Sequence, residues 1–137
     1  MLDTPLSKTL NDLLKGFAER SDRIGYSCAG VSAYDAENWE KSFCRHYHVR
    51  RFRLVSAEET FSESLSDWLG NTGPEAAKAI TDLLGEPLAV LRAEEEKKLI
   101  DRLSSCNGRI GAYYFTEDVF FVVFQTHVLA FLMGSFE

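Results

Sequence analysis

Tyr113-Tyr114-Phe115-Thr116-Glu117-Asp118-Val119-Phe120-Phe121-Val122-Val123-Phe124-Gln125-Thr126-His127-Val128-Leu129-Ala130-Phe131-Leu132-Met133 is the stretch whose reading decides the fold. It holds three strand-length runs rich in aromatic and β-branched residues, separated by the polar tripeptides Thr116–Asp118 and Gln125–His127. Such residues suit a pleated, half-buried surface, and polar punctuation between them marks turns. The spacing predicts a three-stranded antiparallel meander, because strands joined by so few residues cannot run parallel. Val119–Phe124 lacks period-2 alternation, so it should be the central strand, covered on both faces. A membrane span is excluded for this segment: 17 of the 24 residues from Ile110 to Met133 are apolar, but the longest unbroken runs are six residues. A spanning helix needs about 20 in succession.

Working outward from the strands, the rest of the chain reads as helices. Leu10, Leu13, Leu14 and Phe17 recur at helical spacing over Ser7–Arg20, with Ser7 as the expected N-cap and Pro5 just outside. Ile24–Tyr34, punctuated by Gly25 and Gly30, is open to a loop or a short strand. Asp35 or Asn38 can cap a second helix carrying Trp39, Phe43 and Tyr47, and Val49–Val55 reads as a short edge strand. Ser56 and Glu59 have the capping-box spacing, opening a helix with Phe61, Leu65, Trp68 and Leu69 inward. Gly70–Gly73 ends it, and Pro74 starts a helix to Leu84 with Ala77, Ile80, Leu83 and Leu84 inward. Beyond Gly85, a last helix is expected over Leu88–Leu103, ended by Asn107-Gly108. The expected class is α+β: about five helices packed on a small antiparallel sheet, in a single globular domain over residues 1–137.

Composition narrows the function. The net charge is −6, but residues 1–53 carry +2 and residues 54–137 carry −8. That balance disfavours nucleic-acid binding, which depends on neutralising phosphates, and suits a basic protein partner. Leu6–Ala18 is broken by Lys8, Asn11, Asp12 and Lys15, so no secretory segment is expected and cytoplasmic residence is. Cys28, Cys44 and Cys106 are an odd number without ligand-like spacing, expected as reduced and mostly buried thiols.

Four groups of residues have chemical content. Cys44, His46 and His48 are metal-ligand types, yet a zinc site needs further ligands, and no metal or cofactor is expected. Lys41, Arg45, Arg50, Arg51 and Arg53, interleaved with Phe43, Tyr47 and Phe52, resemble a nucleic-acid patch in composition. The flanking Asp35, Glu37, Glu40, Glu58 and Glu59 are expected to neutralise these cations. Cysteines, histidines and serines are present, but no nucleophile elbow or phosphate-binding glycine loop accompanies them. Glu59, Glu63 and Asp67 follow at i, i+4, i+8 and should project from one side of a helix without compensating cations. Like charges at that spacing repel by a few tenths of a kcal/mol, a cost relieved by a cationic partner.

The aromatic strands Tyr113–Phe124, closed by Leu132-Met133-Gly134-Ser135-Phe136-Glu137, resemble the C-terminus of small bacterial immunity proteins, the antidotes encoded beside polymorphic and contact-dependent toxins. The resemblance covers about the last 28 residues and is one of style rather than of a diagnostic motif. It implies a cytoplasmic non-enzyme that binds and neutralises one cognate toxin, possibly a nuclease, with Glu59, Glu63 and Asp67 as the partner-binding residues suggested by the charge pattern. The alternatives are a small cytoplasmic enzyme of unknown reaction and a nucleic-acid-binding accessory protein using residues 41–53.

Overall fold

The computed structural model describes residues 1–22, 26–107 and 114–136. Expectations resting on Ile24, Gly25, Gly108, Ile110–Tyr113 and Glu137, and on the side chains of Cys28 and Cys106, lie outside the described residues. Along the chain run α1 (Thr4–Glu19), β1 (Tyr26–Asp35), α2 (Trp39–Tyr47), β2 (Leu54–Ser56), α3 (Phe61–Leu69) and α4 (Gly73–Leu84). They are followed by β3 (Ala89–Ala93), α5 (Glu96–Asn107), β4 (Tyr114–Val123) and β5 (His127–Phe136). The described strands form one antiparallel sheet in the order β1-β5-β4-β3-β2, which makes the class α+β. No helix among the described residues is long and apolar enough to cross a membrane.

The sheet is a middle layer. Phe120, Val122, Leu129, Phe131 and Met133 face α1, α3 and α4 and pack with Leu10, Leu14, Leu65, Trp68 and Ile80. The alternate residues Val119, Phe121, Val128, Ala130 and Leu132 face α2 and α5 and pack with Phe43, Leu99 and Leu103. Each β4 side chain from Val119 to Val122 is fully buried, which is why that run shows no alternation. Central placement of β4 matches its sequence.

The meander expectation is corrected. Tyr113–Phe115 and Val119–Phe124 are not separate strands: Thr116-Glu117-Asp118 continues β4 with a bulge at Glu117, shown by the register jump from Thr116↔Gly134 to Asp118↔Met133. The sheet centre is therefore one hairpin of two ten-residue strands, turning at Phe124–Thr126, where the Phe124 amide donates to the His127 carbonyl at 2.8 Å. The third strand beside β4 is β3, and it overturns the helix expected over Leu88–Leu103. Ala89–Ala93 has helix-forming residues, but pairing of Ala89, Val90 and Leu91 with Val123, Val122 and Phe121 outweighs local propensity. The helix begins only at Glu96.

Helix starts and faces also shift. Asp3, not Ser7, caps α1: its carboxylate accepts from the Leu6 amide at 3.0 Å. Ser7 instead serves the free edge of β1, where its hydroxyl accepts from the Ala33 amide at 2.9 Å. Asn11 pairs its side-chain amide with both backbone groups of Val31, and the Asp3 amide donates to the Ala33 carbonyl. Residues 1–11 thus stand in for a further strand and protect an edge that would otherwise offer itself to other chains. Thr60, not Ser56, caps α3 by accepting from the Glu63 amide at 3.1 Å. The expected edge strand over Val49–Val55 shrinks to Leu54–Ser56. Leu83, expected inward, is 51% exposed. α3 and α4 meet so closely that a Cβ on Gly73 would lie 2.5 Å from the Ser66 Cα, which requires glycine there.

Candidate interaction surfaces

Arg92 lies on β3 with Leu91 and Ala93 turned to the α2/α5 side, so its side chain goes to the α3 side, its guanidinium 5.6 Å from the Phe120 ring centre. A cation among apolar neighbours requires counter-charges, and three converge on it. Arg92 donates to Glu59 at 2.7 Å, to Glu96 at 3.0 Å and, closely, to Asp118. The other Asp118 oxygen accepts from Trp68 Nε1 at 3.0 Å. The four charged side chains are only 16–32% exposed. This network ties the loop before α3, the start of α5 and strands β3 and β4 together at one end of the sheet.

Three carboxylates around one guanidinium are in electrostatic excess, and Glu96 absorbs it. Burial and a hydrogen bond to Asp118 push the Glu96 carboxyl up to about 7. For Asp118, burial acts upward, but hydrogen bonds from Glu96, Arg92 and Trp68 outweigh it and hold the carboxyl below its usual range. One proton is thus retained between the two acids up to near neutrality. The folded state keeps a Glu96 proton that the unfolded chain gives up around its ordinary value of 4.5. The stability from this group is therefore complete below that value and lost as pH rises through about 7. Because Glu96 is one-third exposed, the effect is on the order of 1 kcal/mol. Glu96→Gln, a fixed mimic of the protonated acid, should flatten this part of the stability profile. Urea denaturation of both proteins from pH 5 to 8 checks it; parallel profiles would refute the assignment.

Glu59 therefore does not belong to a three-acid stripe. It precedes the N-cap Thr60, after a turn with Glu58 at φ 56°, and it faces Arg92. Glu63 and Asp67 do lie on α3, and both are exposed. They join Glu75 and Asp82 of α4 in an acidic layer whose cation is Lys78, 3.8 Å from Asp82. Residues 54–86 hold seven acidic residues and one lysine, a local charge equal to that of the whole chain.

Cys44, His46 and His48 are not brought together as ligands. His46 Nδ1 is hydrogen-bonded to the Tyr34 hydroxyl at 2.8 Å, and His48 is the left-handed C-cap of α2. Burial and the neighbouring Glu40 push the half-buried Cys44 thiol up, the reverse of what a nucleophile needs. The third histidine, His127, contacts Asp3 at 3.1 Å, fastening the β4–β5 turn to the start of α1; Asp35 lies beside them.

The basic segment after α2 is arranged by its apolar residues. Val49 is buried, and Phe52 stacks on Phe121 with ring centres 5.6 Å apart. Pinned at these two points, the segment presents Arg50, Arg51 and Arg53 to solvent. They line a cleft of about 760 Å³ whose other wall is Glu94, Glu95, Lys98, Leu99 and Arg102. A second cleft of about 510 Å³, lined by Trp39, Glu40, Lys41 and Cys44, shares Arg51 with the first. The expected internal neutralisation does not occur. Glu59 is engaged by Arg92, and Asp35 lies 3.9 Å from the terminal ammonium. Among the described residues, no carboxylate is within ion-pair distance of Lys41, Arg45, Arg50, Arg51 or Arg53.

No protein-family model, curated protein or solved structure matches the chain.

The Arg92 network escapes sequence reasoning because Arg92 reads as part of a helix and Asp118 as part of a turn. The available signal is a lone arginine inside Ala89-Val90-Leu91-Arg92-Ala93, which in a buried strand demands acidic partners.

Proposed function

We propose that this chain is a cytoplasmic, non-enzymatic immunity protein that neutralises a cognate bacterial toxin, such as a nuclease, by binding a basic toxin surface. The observation that carries this reading is the acidic outer layer of α3 and α4, in which exposed Glu63 and Asp67 have no cation within ion-pair distance among the described residues. The layer sits on a well-buried sheet, so its charges are held on a rigid support. A dense acidic patch of this kind speeds encounter with a cationic partner and fixes its orientation. The C-terminal resemblance supplies the partner class, and the acid-rich layer supplies the face.

The test is co-expression with the product of the adjacent gene, which this reading requires to be a toxin-domain protein. A stable complex and rescue of growth are expected. Glu63→Lys with Asp67→Lys should weaken the complex by about tenfold or more, chiefly through slower association that salt also suppresses. A complex indifferent to both substitutions would reject this face, and absence of any complex would reject the function.

A further inference from the structure

We propose that the paired clefts flanking Arg51 form a binding groove for single-stranded nucleic acid, separate from the acidic layer. Six cations line the two clefts: Lys41, Arg50, Arg51, Arg53, Lys98 and Arg102. Three carboxylates share the walls, Glu40, Glu94 and Glu95, and Glu95 is 3.7 Å from Lys98. The groove is net positive in a chain of net charge −6, whose acidic residues concentrate over 54–86 on α3 and α4. The sheet separates α3 and α4 from α2 and α5, so a polyanion is repelled by the first layer and finds its cationic surface beside the second.

The chemistry of the lining selects the ligand. Four of the six cations are arginines, whose planar forks match phosphate oxygens bidentately. Among the described residues, Arg50, Arg51 and Arg53 make no internal ion pair, so no such pair need be broken to bind. Trp39 lines the second cleft together with Lys41 and Arg51, half-buried, its ring braced by Phe121 at 5.1 Å. An aromatic ring beside a line of phosphate-binding cations is the arrangement that stacks unpaired bases. A duplex hides its base faces, and an acidic peptide has none. The groove therefore favours a single strand over both.

Fluorescence anisotropy of a short labelled oligouridine with the full chain at low salt tests this. Binding is expected in the micromolar range, with a log–log salt slope of about −3 if roughly four phosphates are engaged. Arg51→Glu, at the junction of the clefts, should weaken binding tenfold or more and make the slope shallower. Arg50→Glu should act in the same direction, whereas Lys78→Glu on α4 should change nothing. All three positions are exposed, so folding is preserved. Unlabelled duplex and poly-glutamate serve as competitors, and neither should displace the strand at equal charge. No binding at low salt, indifference to Arg51→Glu, or displacement by either competitor overturns the assignment.

Discussion

Arg92→Met should lower the unfolding free energy by about 3 kcal/mol and the melting temperature by roughly 10 °C. The substitution keeps an unbranched side chain over Phe120 but withdraws the cation shared by Glu59, Glu96 and Asp118. Removing one partner of a half-buried ion network leaves charges that water solvates only in part, the costly half of the exchange. The loss should be larger at pH 8 than at pH 5. At the lower pH the abandoned acids can take up protons; at the higher pH they remain charged and repel one another. Urea denaturation at the two pH values measures it. A pH-independent loss below about 1 kcal/mol would mean that the acids rehydrate and that the network is a surface cluster worth little.

Phe121→Ala should cost about 4 kcal/mol, the upper range for deleting a buried ring. Phe121 is fully buried on the central strand, and Trp39, Phe43 and Phe52 surround it at 5.1, 5.1 and 5.6 Å. The ring unites α2, the basic segment and the sheet, so its loss leaves a cavity and also frees Phe52. Phe121→Leu retains most of the volume and should cost about 1.5 kcal/mol or less. Chemical denaturation reads both losses, and the near-ultraviolet circular dichroism of the folded leucine variant reports aromatic packing. Equal stability losses for alanine and leucine would show that ring contacts, rather than filled volume, decide the energy.

What the sequence disclosed follows hydrophobic period. Val119–Phe124 showed no alternation because both faces of β4 are covered, and that was enough to place it at the sheet centre. Phe61, Leu65, Trp68 and Leu69 kept helical spacing because α3 has one buried side. What stayed hidden depends on contacts distant in sequence. Thr116-Glu117-Asp118 resembles a turn until Arg92 and Trp68 are known to donate to Asp118 inside a strand. Ala89–Ala93 favours a helix until β4 pairs with it. Glu59 looks like a stripe residue until Arg92 draws it away, and the arginines of 50–53 look neutralised by neighbours of which Asp35 and Glu59 in fact serve other partners. The candidate surfaces were thus legible as residue types, while their division into a staple, an acidic layer and a basic groove was not.

The strand order carries a consequence for biogenesis. β5 lies between β1 and β4, so the strand near the C-terminal end of the chain separates one made early from the one made just before it. Residues 26–35 pair with 127–135, the longest closure in the sheet. Such non-local pairing slows folding, because the closure entropy must be met before the contact stabilises anything. On the ribosome, β1 has no sheet partner until β5 emerges. In the folded sheet the other edge of β1 is covered by residues 1–11, through the Ser7 hydroxyl, the Asn11 amide and the Asp3 backbone. The outer edge of β1 is thus closed by contacts local in sequence, while its inner edge depends on the distant β5.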